Sequence, residues 1–368
     1  DQGGQSMKIG VLSMYKEKEI TGINKVTMGL MEELLKLDRE NDYVFLGKTD
    51  WLPLDMEHIP VLPDAGGSVL LNYAMLAHPL DIVHSHYRPF ELSRGIPCAK
   101  ILTIHDLIPL IYPQWYGNQF EYFDVSIRRC AKEADKIIAV SECTKRDIIE
   151  YYDIMPEKID VVYNGLSPTK LFADDAEGQS VPELENTDFI FSVSGLGPHK
   201  NQAGLAEAFL LYKKRHPESK VKLVLTGPVR KYEVVREILA KNAKVAENVV
   251  FTGFVSDAQL IWLYRKALAF IYVSYYEGFG LPILEALSVG KAVICANAAS
   301  MPEVGGDAVA YCDPHEVETI EAAIDRVVSD ESYKKSLEER AAKQASRFSY
   351  KKAAGEMMRI YESFRNGY

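Results

Sequence analysis

The sequence predicts an α/β chain of two Rossmann-like, doubly wound domains in tandem, facing each other across a cleft. Three observations carry this. Short β-rich runs alternate with amphipathic helical runs along most of the 368 residues, which implies parallel sheets covered on both faces. The stretch LSPTKLFADDAEGQSVPELEN, 166–186, is rich in Pro, Ser, Asp and Glu and reads as a linker. The alternation then begins again at residue 188. A chain of this length suits two or three domains, each with its own core. No short repeat is present.

The elements follow in order. MKIGVLSMY (7–15) reads as a strand, followed by a loop through Gly22 and a helix near 23–37. DYVFLG, DIVHSH, AKILTIHD, DKIIAVS and KIDVVYNG continue the strand series to 165, with helices around 119–134 and 142–152. The second series is DFIFSVSG (188–195), VKLVLTGP (221–228), NVVFTG (248–253), LAFIYVS (268–274), KAVICAN (291–297) and AVAYCD (308–313). Helices are expected over 315–330 and 332–346, with a last one in SYKKAAGEMMRIYESFRNG. The expected domains are therefore 7–170 and 187–347. A C-terminal helical segment, 348–368, is expected to pack back toward the N-terminal domain.

Composition narrows the function. Hydrophobic residues make up 47% and charged residues 26%, as in soluble globular proteins. The net charge of -10 argues against a nucleic-acid binder, which needs clustered cations. Five scattered cysteines form no C-x-x-C pair and fit neither a zinc site nor a disulfide framework, so reduced cytosolic thiols are expected. No apolar run reaches membrane-spanning length. The residues before Met7, DQGGQS, read as a cloning remnant, and no secretory signal is expected.

In open α/β sheets the ligand sits at the carboxyl ends of the strands. The turns there are marked by glycine in the second half: Ser194-Gly195-Leu196-Gly197, Thr226-Gly227-Pro228, Gly253-Phe254-Val255 and Glu277-Gly278-Phe279-Gly280. The last belongs to YYEGFGLPILEAL, 275–287, where Glu277 and Glu285 flank a glycine turn at the junction of a strand and a helix. Pro282 suits the first helical position. The free N–H groups of such a turn and helix start make an anion site, usually for phosphate. Glu285, one turn into the helix, is placed to accept hydrogen bonds from vicinal hydroxyls such as those of ribose. Glu277, at the strand end, is placed to accept them from a second hydroxyl-bearing group. The pattern reads as ribose, diphosphate, sugar; the plainer alternative is that Glu285 only favours the helix dipole. Lys200, in SGLGPHKN (194–201), offers a compact cation for the diphosphate, and His199 a further donor. No D-x-D or His/Asp cluster offers a divalent-metal site, so neither metal nor cofactor is expected.

At this point the run VSYYEGFGLPILEALSVGKAVICANAASMPEVGGDA resembles the nucleotide-sugar signature of the retaining glycosyltransferases of family four, which have the GT-B fold. GLGPHKNQ, VLTGP, VFTGFVSDAQLIWLYRKA and AVSECTKRDI resemble that family too, in the expected order. The resemblance covers nearly the whole chain from Met7 and is looser in its first half, the acceptor side. It implies that Glu277 holds hydroxyls of the donor sugar, Glu285 the ribose and Lys200 the diphosphate. Donor binding would also involve Gly195, His199 and Gly278. Backbone groups of Phe279, Gly280 and Leu281 would touch the diphosphate or sugar, and Phe254 and Val255 would frame the base. Gly22 matches the small turn that lets the first helix approach the phosphates. His105, in LTIHDLIP, matches a residue beside the donor sugar and reaction centre, so the catalytic set is His105, Lys200 and Glu277. One departure stands out: relatives often carry Arg where this chain has His199, and Arg230 and Arg128 are the alternatives for that missing charge.

Asp106 is expected to support its loop or orient His105, and His84 and His86 to be structural. Tyr87 and Arg88 are assigned to the acceptor. The aromatic run LIYPQWYGNQFEYF (110–123), followed by Arg128 and Arg129, fits sugar rings, a peripheral membrane contact or simple helix packing equally. The activity implied is metal-independent transfer of a hexose, with retention, to a glycan or lipid-linked glycan at the cytoplasmic face of the membrane. The subtype leans towards mannosyltransferases of polysaccharide synthesis and GDP-mannose. UDP-glucose, UDP-N-acetylglucosamine and dTDP-rhamnose remain open. The alternative is a non-catalytic nucleotide-sugar-binding scaffold. A dehydrogenase fails locally, because the first strand runs into SMYKEKEITG and not G-x-G-x-x-G.

Overall fold

Apolar runs without strict alternation, such as Ile82–Ser85 and Ala269–Tyr272, are buried at every position, as strands covered on both faces must be. In the computed structural model they build two all-parallel sheets. The structure describes residues 6–12, 22–46, 57–59, 75–86, 97–166, 178–193, 197–228 and 233–365. The chain divides into two units, Asp1–Ser167 with Ser349–Tyr368, and Pro168–Phe348.

The first unit holds β1 (Lys8–Leu12), β2 (Asp42–Leu46), β3 (Glu57–Ile59), β4 (Ile82–Ser85), β5 (Ala99–Ile104), β6 (Lys136–Ala139) and β7 (Ile159–Val161), in the order β3-β2-β1-β4-β5-β6-β7. One of its cores gathers Val44, Val83, Leu102, Ile137, Ile148 and Tyr152. The region expected as a helix over 119–134 is a longer helical run with a wide π turn at Tyr122–Ile127, between Pro113–Glu121 and Arg128–Glu133. Ser141 caps the helix Glu142–Tyr152 by accepting from Thr144 N, the usual remedy for an orphan N–H.

The last helix, Tyr350–Glu362, belongs to the first unit and packs on the helix Gly22–Leu37. Gly29 makes this approach feasible: a Cβ there would lie 2.2 Å from the Tyr350 ring. Tyr361, fully buried, meets His84 Nδ1 at 2.7 Å, and His84 Nε2 meets Thr103 Oγ1 at 2.8 Å.

The second unit holds β8 (Phe189–Val193), β9 (Lys222–Thr226), β10 (Val249–Gly253), β11 (Ala269–Tyr272), β12 (Val293–Ala296) and β13 (Val309–Cys312), in the order β10-β9-β8-β11-β12-β13. Ile190, Phe209, Leu223, Ile271, Ile294 and Ile320 lie in its core. Strand order reverses direction between β8 and β11, so the carboxyl ends of these two strands form the switch point where such sheets bind ligands. All five cysteines are buried. Among the described residues, no helix is long and apolar enough to cross a membrane, and no group of His, Cys, Asp and Glu suits a metal ion.

Candidate active site

The segments leaving β8 and β11 are tied together by Asn201. It sits in the left-handed region (φ 52°) and caps the helix Gln202–Arg215 by accepting from Gly204 N. Its Nδ2 donates to the carbonyls of Val273 (3.1 Å) and Pro314 (2.7 Å). Tyr275 N donates to the His199 carbonyl at 2.8 Å. These bonds bring Lys200 onto Glu277. Lys200 Nζ donates to Glu277 Oε1 at 2.7 Å and to Tyr272 Oη at 2.6 Å, and Tyr272 Oη donates to the same Oε1 at 2.8 Å. His199 Nε2 lies 3.9 Å from that oxygen. Lys200 also stands over the Tyr272 ring, 5.1 Å from its centre.

Electrostatics keep the pair charged. Burial opposes the charge on Lys200, but the Glu277 carboxylate and Tyr272 more than offset it and hold the ammonium above its ordinary range. Burial likewise pushes Glu277 up, yet Lys200 and His199 bring it below the usual carboxylate value. An ammonium carries three protons. Lys200 uses two within this triangle, which leaves one for an incoming anion.

Glu277 is followed by a turn whose backbone is anchored by Ser300, which donates to the Glu277 carbonyl at 2.8 Å. Gly280 adopts φ +100° and begins the helix Leu281–Ser288. Pro282 is therefore the second helical residue and not the first as expected; both positions lack an intrahelical N–H partner, so the substitution is equally benign there. Gly278, Phe279 and Gly280 are buried, and the Phe279 ring packs edge-on against Phe348. Leu281 N heads the helix, where N–H groups and the helix dipole favour an anion. Glu285 lies one turn on, half-buried, and accepts from Tyr264 Oη at 2.8 Å. At the end of β10, Phe254 is 85% exposed and Val255 half-buried.

In the first unit, His105 follows β5. Its Nε2 lies 2.8 Å from the His86 carbonyl. A carbonyl only accepts, so Nε2 carries the proton and Nδ1 the lone pair. Burial lowers His105 to about 4, the His86 bond opposing only in part, so the ring is neutral at pH 7. Asp106 supports its loop by accepting from Ile108 N. His84 and His86 are fully buried, as structural residues are. Gly22 is the exposed first residue of its helix. Arg128 is engaged by Asp124 at 2.5 Å, so its charge is used locally. Gly195, Tyr87, Arg88 and Arg230 lie outside the described residues.

Sequence reasoning named Lys200 and Glu277 for separate parts of a ligand; the structure adds that they bond to each other. It did not find Tyr272, Tyr264, Asn201 or Ser300. The one signal for the tyrosines was a hydroxyl in an otherwise apolar run, which needs a buried partner. For Asn201 it was an Asn just before a helix.

Residues 174–344 match the family described as glycosyl transferases group 1, and residues 42–170 match glycosyltransferase family 4. The chain is 29% identical over 288 residues to O-antigen chain mannosyltransferase B of Escherichia coli, covering 75% of this chain and 72% of that protein. It is 29% identical over 278 residues to the serotype-specific mannosyltransferase WbdA of Escherichia coli, covering 71% of this chain but only 33% of that longer protein. Among solved structures, a glycosyltransferase from Rickettsia africae ESF-5 superposes with a TM-score of 0.74 at 20% identity, covering 99% of this chain and 100% of that one. Anabaena HepE, in complex with UDP and glucose, gives 0.73 at 17% identity, covering 97% and 100%. The solved structures attest the GT-B fold, and with the two family matches spanning both units the chain belongs to the family-four glycosyltransferases.

Proposed function

We propose that this enzyme transfers a hexose from a nucleotide diphosphate-sugar to a hydroxyl of a glycan or lipid-linked glycan, with retention of anomeric configuration and without a metal ion. The observation that carries the reading is the Lys200–Glu277 pair at the switch point, beside the helix head that leads to Glu285. The remaining proton of Lys200 and the N–H groups of the helix head take the diphosphate, a preorganised stabiliser of the leaving charge. Gly195 and His199 line the same anion. Glu285 takes the ribose hydroxyls, and Glu277 those of the sugar. Phe254 and Val255 flank the base. His105, neutral, accepts a sugar hydroxyl through Nδ1, and Gly22 gives its helix a small leading residue. The bond from the anomeric carbon to the phosphate oxygen breaks, the bond to the acceptor oxygen forms on the same face, and the freed phosphate oxygen takes the acceptor proton.

GDP-mannose is the first choice of donor, because relatives that match most of this chain are named mannosyltransferases. A cytoplasmic location at the inner membrane face follows from a lipid-linked acceptor. The test is a thermal-shift panel of GDP-mannose, UDP-glucose, UDP-N-acetylglucosamine and dTDP-rhamnose, since a bound ligand raises the melting point. NMR of the product then reads the anomer, with and without EDTA. Retention and indifference to EDTA are expected. An inverted linkage overturns the mechanism, and binding without turnover favours a scaffold.

A further inference from the structure

Two tyrosines lie beneath the acid pair. Tyr272 closes β11 and is 3% exposed; Tyr264, on the helix Asp257–Lys266, is fully buried. A phenylalanine would fill the same core volume, so packing does not account for either hydroxyl. Each hydroxyl ends on one of the two acids: Tyr264 on Glu285 Oε2 and Tyr272 on Glu277 Oε1, both at 2.8 Å. The rings are fixed in turn by Phe270, 5.1 Å from Tyr264 and 5.9 Å from Tyr272, and Phe191 stands edge-on to Tyr264 at 5.2 Å. Burial and the adjacent carboxylates hold both phenols protonated, so they are standing donors.

We infer that Tyr264 and Tyr272 are positioning residues: from within the core each grips one carboxylate oxygen of the acid pair, which directs the acid's remaining hydrogen-bonding capacity at the ribose and sugar hydroxyls of the donor. This rests on the donor reading proposed above. The physical reason is that vicinal hydroxyls demand a carboxylate in one orientation. A donor anchored in a close-packed core restricts that orientation before the ligand arrives. Tyr272 does more, because it also accepts from Lys200 and so ties the phosphate cation to the sugar acid.

The experiment compares Tyr264→Phe, Tyr272→Phe and Glu285→Ala with wild type. GDP or UDP, whichever binds wild type, is titrated beside its 2′,3′-dideoxy analogue, and turnover is followed with the matching nucleotide-sugar. Wild type is expected to prefer the ribo form by about tenfold or more. Tyr264→Phe reduces that preference to about twofold and raises KM, with kcat within about twofold of wild type. Tyr272→Phe keeps the preference and lowers kcat by about tenfold. A loss of packing alone would not split the two variants this way. If Glu285→Ala abolishes the preference while Tyr264→Phe retains it, the positioning role is overturned and the donor reading stands. If Glu285→Ala retains the preference, the donor reading itself falls. Unchanged kcat in Tyr272→Phe overturns its part. Should a Phe variant melt below the assay temperature, a crystal structure of wild type with the diphosphate decides: Tyr264 Oη is expected to stay on Glu285 while Glu285 holds the ribose, and a tyrosine turned away overturns the inference.

Discussion

Lys200 Nζ and Glu277 Oε1 lie 2.7 Å apart, with side chains only 17% and 11% exposed. A pair so placed is costly to break from one side, because the partner left behind is a buried charge. Lys200→Ala is expected to destabilise the protein by about 3–5 kcal/mol in urea unfolding. It should also lower donor turnover by at least about 100-fold. The double variant Lys200→Met with Glu277→Gln should regain most of the stability and none of the turnover. A single variant as stable as wild type would remove the pair from the energetic account.

The same pair sets a pH window. Glu277 is depressed below 4.5, so its contribution is present above 4.5 and lost as pH falls through its folded value. Lys200 is raised above 10.5, so its contribution is present below 10.5 and lost as pH rises through its folded value. Nucleoside diphosphate affinity, measured calorimetrically, should therefore show no step from Lys200 or Glu277 between pH 5 and 9. A step that disappears in Glu277→Gln would contradict this.

Burial lowers His105 to about 4, so the neutral acceptor proposed for it persists throughout the physiological range. The pH profile of kcat/KM should carry no inflection near 6.5 that His105→Ala abolishes. His105→Asn, which restores an acceptor, should recover more activity than His105→Ala.

The first unit should be acid-labile. Burial lowers His84 to about 3 and pushes His86 well down, and both rings sit beside His105. As pH falls below 6.5 the unfolded chain takes up protons that the folded one refuses, so stability drops until the folded values are reached. His84 alone accounts for on the order of 4 kcal/mol across that window. Unfolding midpoints between pH 7.5 and 4.5 should capture about 2–3 kcal/mol of it, and a flat profile would refute it.

Gly280→Ala is expected to cost about 1–2 kcal/mol, because φ +100° is hostile to any Cβ. That Cβ would also stand 3.3 Å from Ile283 Cδ1, at the head of the proposed phosphate site. Diphosphate affinity should fall with stability; a variant with wild-type affinity would show that the turn does not shape the site.

Much of this was legible because buried parallel strands announce themselves. β8 to β13 all lie within the runs read from apolar residues alone. The three-residue β3 was missed, since Glu57, His58 and Ile59 carry no periodicity. The π turn was missed because its side chains do not differ from those of an ordinary helix. Lys200 and Glu277 were each visible in a local motif, but their meeting depends on β8 and β11 being neighbours, which sequence order conceals. Tyr264 and Tyr272 sit in apolar runs and read as core; only three-dimensional placement shows where their hydroxyls end.

The helix Tyr350–Glu362 closes a unit whose other parts are all encoded before residue 168. During synthesis, His84 must wait for Tyr361 until the second unit has been made. The first unit is thus completed only after a second unit has been translated between its pieces. A nonsense codon between Phe348 and Tyr361 would injure the part of the protein made first, and leave intact the part made in between.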